Sequence, residues 1–160
     1  MNALAPKLAG KFQVSTTIIK LIPLFLMAIV GTIVGLTNGM TVQNFTTVVN
    51  ELPFSEGLFG AIVALAFAFE GWICATSINA ELKAPKKNLP LALVIGSIVV
   101  VVAYVTYYIG VAGGASAKDL MDTGANVAFN NVFGTVLGNI LNLFVAISCL
   151  GTLNGLMIGV

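Results

Sequence analysis

Residues 55–80 read SEGLFGAIVALAFAFEGWICATSINA, an apolar stretch whose interior is interrupted by one charge, Glu70. At a rise of ~1.5 Å per residue, a stretch of this length matches the ~30 Å hydrocarbon core of a bilayer. Glu70 then falls near the bilayer midplane, where insertion costs an acid roughly 2.5 to 3.5 kcal/mol. Such a group is expected to face protein or water rather than lipid. The run Phe67-Ala68-Phe69-Glu70-Gly71-Trp72 sets a glycine beside that charge and three large aromatics. Glycine is less helix-favouring than alanine by ~1 kcal/mol, so the helix is predicted to unwind here. An unwound turn inside a membrane exposes backbone carbonyls and a half-helix end, which can receive ligands and ions. The plainer alternative is a protonated structural Glu70 bonded to a neighbouring helix.

The rest of the chain agrees with a membrane setting. Of 160 residues, 58% are apolar, 8% are charged and none is histidine, and the mean hydropathy is +1.03. A soluble domain carries about 25% charged residues, so a soluble globular protein is excluded. Seven lysines, no arginine and six acids give a net charge of +1, too balanced for a nucleic-acid binder. Cys74 and Cys149 both lie in apolar runs and suggest neither a disulfide framework nor a metal site. Without histidine, most catalytic triads and zinc sites are unavailable, and no cofactor or enzymatic activity is expected.

Three further stretches are long enough to span: 12–37, 89–115 and 132–160. The sequence therefore predicts an all-α, polytopic helical bundle of about four transmembrane helices in a single membrane domain, with the lipid bilayer as its solvent. Lys7 and Lys11 precede the first span, and Lys83, Lys86 and Lys87 separate the second from the third; the other two loops carry one lysine, Lys118. Lysines are retained on the cytoplasmic side during insertion, which places both chain ends there. Thr37-Asn38-Gly39 reads as a turn, Asn88-Leu89-Pro90 starts the third helix, and Asn44-Phe45-Thr46 matches a glycosylation sequon. The last span ends at Val160 without a cap or charge, so the chain is expected to be a fragment of a longer protein.

Lys20 lies two turns inside the first span if that helix starts near Phe12, and at the interface if it starts near Thr17. A buried lysine would need a cage of carbonyls or hydroxyls, and desolvation would make it a proton carrier. In the last span Ser148 and Thr152 stand at i and i+4, on one face; they form either a polar cage or hydroxyls bonded to their own i−4 carbonyls. Glycines recur at four-residue spacing, at Gly31 and Gly35, Gly110 and Gly114, Gly134 and Gly138, and Gly151, Gly155 and Gly159. They predict close helix packing rather than a ligand site.

The run from Phe67 to Trp72, followed by Ala80-Glu81-Leu82-Lys83-Ala84-Pro85-Lys86-Lys87-Asn88-Leu89-Pro90, resembles the sixth helix and next cytoplasmic loop of the amino acid, polyamine and organocation (APC) transporters. Their L-type amino acid transporters and bacterial serine/threonine exchangers are the most similar branch. Lys20-Leu21-Ile22-Pro23 looks like the family's fifth helix and the segment from Ile147 to Gly155 like its eighth. The resemblance implies an inverted-repeat (LeuT-like) fold of about twelve helices, of which this chain holds the fifth to the eighth. It implies that the backbone of Phe67, Ala68, Phe69, Glu70 and Gly71 receives a substrate α-ammonium, with Phe67 as an aromatic gate. It also implies that the Lys20 ammonium takes the place of a coupling ion, with Ser148 and Thr152 as its hydroxyls. Nothing here matches the family's first, third or tenth helix, so half of the substrate site would come from the missing helices of the full-length permease.

The expected function is transport of a small neutral amino acid across the cell membrane, by exchange or proton symport, as part of a longer permease; the fragment alone is expected to be inactive. The rival is a small four-helix structural or assembly protein that packs through its glycine strips.

Overall fold

The computed structural model describes residues 6–47, 53–69, 71, 82 and 84–159, and every element among them is helical. The first is α1 (Pro6–Leu26), continued without interruption by one π turn (Met27–Gly31) and by α2 (Thr32–Thr37). Then come α3 (Met40–Thr46), α4 (Phe54–Ala68), α5 (Pro85–Gly114), α6 (Ala117–Thr123) and α7 (Ala125–Gly159). Lys11–Thr37 and Pro85–Gly114 are each long and apolar enough to cross a membrane. A third crossing is formed if the two limbs Ala125–Leu141 and Ala146–Leu153, bent by 45°, count as one span. The expected second span is described as the fifteen residues of α4; Glu70 and 72–80 lie outside the described residues.

Glycine holds the first and third spans together. A Cβ on Gly31 would meet the Gly110 carbonyl, and one on Gly35 would meet the Gly113 backbone and the Thr41 hydroxyl. The pairs run in the same order along both helices, so these spans are parallel and Lys11 lies at the same end as Lys86 and Lys87. Backbones this close gain dispersion contacts that any side chain would remove. The π turn serves the same seam. In an α-helix, residues four apart drift by about 40° per step, whereas a turn closed from i to i+5 absorbs part of the drift and keeps buried Met27, Gly31 and Gly35 on one face. The spacing predicted the Gly31, Gly35 and Gly110 contacts. Gly114 instead packs against Met27, Ala128 and Val132.

The two loops opposite the lysines are more structured than their hydropathy implies. The expected loop 38–54 contains α3, entered through Gly39 at φ 75°. The expected loop 116–131 contains α6 and the start of α7. Ser116 caps α6: its Oγ accepts from the Asp119 amide at 3.2 Å and donates to the Asp119 carboxylate at 2.6 Å, a reciprocal cap that stabilises a helix too short to form alone. Gly134, at φ 78° and ψ 163°, breaks α7 in a backbone region open essentially to glycine. The chain folds back there, since a Cβ on Gly138 would lie 3.1 Å from the Asn130 Cα, whereas residues eight apart in a straight helix are about 12 Å apart. Gly134 is thus a hinge rather than part of a packing strip.

Where these pieces meet, Met27, Val111, Ala115, Ala128, Phe129 and Leu141 form the core, with Tyr107 against the Phe129 ring at 6.3 Å. The last carbonyls of α5, buried and without helical partners, are taken up by two asparagines. Asn44 Nδ2 donates to the Ala112 carbonyl at 2.6 Å and the Ala115 carbonyl at 2.7 Å, while its Oδ1 accepts from the Ala117 amide at 2.8 Å. Asn131 Nδ2 donates to the Gly114 carbonyl at 3.1 Å. The nitrogen that a glycan would need on the Asn44 sequon is therefore engaged twice within the fold.

Candidate functional site

α4 ends inside its apolar segment. Ala68 is its last residue, Phe69 stands outside helical geometry at φ −100° and ψ 6°, and Gly71 lies in a turn. The Phe69 amide reaches the Leu65 carbonyl at 3.1 Å and also the Phe67 carbonyl, so the α-helical pattern of the last turn gives way to a tighter turn. Aligned peptide dipoles give such an end a partial negative charge, which suits a cation such as an ammonium group. The stop falls in the 67–72 run, where Gly71 weakens the helix.

One α5 residue is fastened to this end. The Tyr104 hydroxyl donates to the Ala68 carbonyl at 3.3 Å, and its ring meets that of Phe69 edge-on at 5.6 Å and 83°. Between the α4 end and α5 lies a cavity of about 530 Å³. Ala66, Ala68, Phe69 and Gly71 form one wall; Gly96, Ser97 and Tyr104 belong to the other. Of the five candidates in this run, Ala68, Phe69 and Gly71 line the cavity, while Phe67 does not and is 74% exposed. Glu70 lies outside the described residues. Neither Tyr104 nor Ser97 was singled out from the sequence; Tyr104 is one of three tyrosines, with Tyr107 and Tyr108, in a largely aliphatic span, and its hydroxyl in apolar surroundings was the available signal.

The remaining candidates lie along the seam between α1 and α7. Thr16 is 3% exposed, with its hydroxyl donating to the Phe12 and Gln13 carbonyls, both at 3.0 Å. A Cβ on Gly151 would lie 2.8 Å from that hydroxyl. Thr16, Lys20, Pro23 and Met27 recur at spacings of four, three and four on one helical face; Thr16, Pro23 and Met27 are buried and Lys20 half-buried. α1 starts at Pro6, and its apolar span at Lys11, so Lys20 stands ~14 Å into the span by helical rise. Because Thr16 meets Gly151 while Met27 and Leu141 share the core, α7 runs antiparallel to α1, and Ser148 falls near the level of Lys20. Ser148 is half-buried, whereas Thr152 is exposed and donates to the Ser148 carbonyl at 3.1 Å.

The profile of a family described as amino acid permease matches residues 1–160. The chain is 31% identical over 158 residues to the serine/threonine exchanger SteT of Bacillus subtilis, covering 97% of this chain and 35% of that protein. It is 33% identical over 161 residues to the b(0,+)-type amino acid transporter 1 of Rattus norvegicus, covering 97% and 32%. Against the cystine/glutamate transporter of Homo sapiens it is 27% identical over 168 residues, covering 97% and 31%. No solved structure matches. The chain spans about a third of the length of these curated relatives. With a profile matched from first residue to last and helices suited to a membrane, the chain belongs to the amino acid permease family.

Proposed function

We propose that this chain forms part of the substrate path of an amino acid permease that moves a small neutral amino acid by exchange or proton symport. The observation that carries the reading is the end of α4 at Ala68, within an apolar segment and beside a cavity. The carbonyls at this end, each with a second lone pair to offer, receive the substrate α-ammonium, the turn from Phe69 to Gly71 shapes the site, and Phe67 gates it. The names of the relatives, a serine/threonine exchanger among them, support an amino acid as substrate, and family membership argues against the small structural protein.

Lys20, on the packed face of α1 at the level of Ser148, links occupancy of the site to closure. Its ammonium stands where a coupling cation would be needed, and Ser148 is the hydroxyl best placed to serve it; Thr152 takes the more distant part. The lysine-bearing ends face the cytoplasm, and the remaining helices of the full-length permease complete the carboxylate side of the site. A ligand with a different free energy of interaction in the two states shifts the balance between inward and outward forms.

The test is uptake of labelled amino acids by the full-length permease in proteoliposomes. Stimulation by unlabelled amino acid inside identifies exchange, and stimulation by an inward proton gradient identifies symport. Absence of uptake under both conditions overturns the proposal.

A further inference from the structure

We infer that Gly96 and Ser97, on the α5 wall of the cavity, determine which uncharged side chains the permease accepts. The inference rests on the proposed function and adds the part of the site that reads the substrate's side chain.

The first observation is that no described residue packs closely on Gly96. Gly31, Gly35, Gly110 and Gly113 each face a backbone that a Cβ would strike, whereas a Cβ on Gly96 would meet nothing within 4 Å. Glycine inside a helix is less favourable than alanine, and among the described residues no close contact at Gly96 offsets this. What it leaves is space in the cavity, which Gly96 lines. At about 530 Å³ the cavity lies within the range of ~300 to 1,000 Å³ usual for small-molecule sites.

The second observation concerns Ser97. The hydroxyls of Thr17, Thr106 and Thr152 each donate to a carbonyl one turn back in their own helix. The Ser97 hydroxyl makes no hydrogen bond among the described residues and lines the cavity. It is a donor and acceptor still available to a ligand. Apart from the Tyr104 hydroxyl, which is bonded to the Ala68 carbonyl, the remaining α5 lining is apolar, with Leu93 and Val100 on it and no charged side chain among the described lining residues. Among the described lining residues, no ammonium or carboxylate offsets the desolvation of a charged substrate side chain. An uncharged side chain meets no such cost, and one with a hydroxyl gains Ser97. The α4 end thus takes the ammonium while α5 reads the side chain.

The experiment uses the full-length permease in proteoliposomes with labelled alanine, serine, leucine and phenylalanine. Gly96→Leu, whose Cβ meets nothing within 4 Å, is expected to lower uptake in order of side-chain size, with phenylalanine falling about tenfold or more relative to alanine. Gly96→Ala is expected to shift the same ratio in the same direction by less. Ser97→Ala is expected to lower serine about fivefold relative to alanine, the loss of one hydrogen bond, and to leave leucine unchanged. If the variants elute as monodisperse protein and keep the parent's ratios among the four substrates, the inference is overturned while the transport function stands. If the parent takes up none of the four, both fall.

Discussion

Thr16 lies directly against Gly151, close enough that a Cβ on the glycine would be 2.9 Å from the threonine Cβ. This contact sets the register of α1 against α7, and with it the level of Lys20 relative to Ser148. Gly151→Val would force the helices apart, and overpacking of this kind costs about 1 to 3 kcal/mol. We expect a lower midpoint of thermal unfolding in detergent for Gly151→Val, while Cys149→Ser, at an exposed neighbour, leaves it unchanged.

Asn44 joins three helices through one side chain, bonding the Ala112 carbonyl of α5, the Ala115 carbonyl just after it and the Ala117 amide of α6. Asn44→Ala leaves these groups without partners, a loss of about 1 to 3 kcal/mol to be read as a lower unfolding midpoint. Because Asn44 Nδ2 is engaged, expression in a glycosylating host is expected to give protein whose gel mobility does not change on treatment with an N-glycosidase.

Gly134 breaks α7 within its Ala125–Leu141 part, at φ 78° and ψ 163°. A side chain there is strained by about 1 to 3 kcal/mol, although a Cβ would meet nothing within 4 Å. Gly134→Ala is therefore expected to destabilise through the backbone alone, and Gly134→Val to cost at least as much. An unfolding midpoint equal to that of the parent for both would contradict the assigned hinge.

Tyr104 holds the α4 end through its hydroxyl and its ring. Tyr104→Phe keeps the edge-on contact with Phe69 and removes the bond to the Ala68 carbonyl. The expected result is an uptake rate lowered about twofold to tenfold, the worth of one neutral hydrogen bond, at unchanged protein abundance. Tyr104→Ala removes both contacts and is expected to lower it further.

Much of this arrangement was legible in the residue order, for reasons that differ from place to place. The stop of α4 is a local effect, a glycine beside a charge, and so was readable at residues 67–72. The Gly31, Gly35 and Gly110 contacts follow from helical spacing. What escaped acts over distance or at short range in polar sequence. Asn44 reaches carbonyls 68 and 71 positions away, and Tyr104 a carbonyl 36 positions away, so no window along the chain contains both partners. α3 and α6 are seven residues each, too short and too polar for a reading based on apolar length. Gly134 and Gly138 have the spacing of a packing strip, yet only the backbone dihedral distinguishes a hinge from a strip.

The central claim is that the α4 end binds the substrate and that Lys20 couples its occupancy to closure. The most direct measurement is saturable uptake of labelled amino acid by full-length permease in proteoliposomes, comparing the parent with Phe67→Ala and Lys20→Ala at matched protein. We predict that Phe67→Ala raises KM, and that Lys20→Ala removes most of the transport rate while the protein remains folded, a loss of about tenfold or more, corresponding to ~1.4 kcal/mol. Normal uptake by both variants would contradict the account.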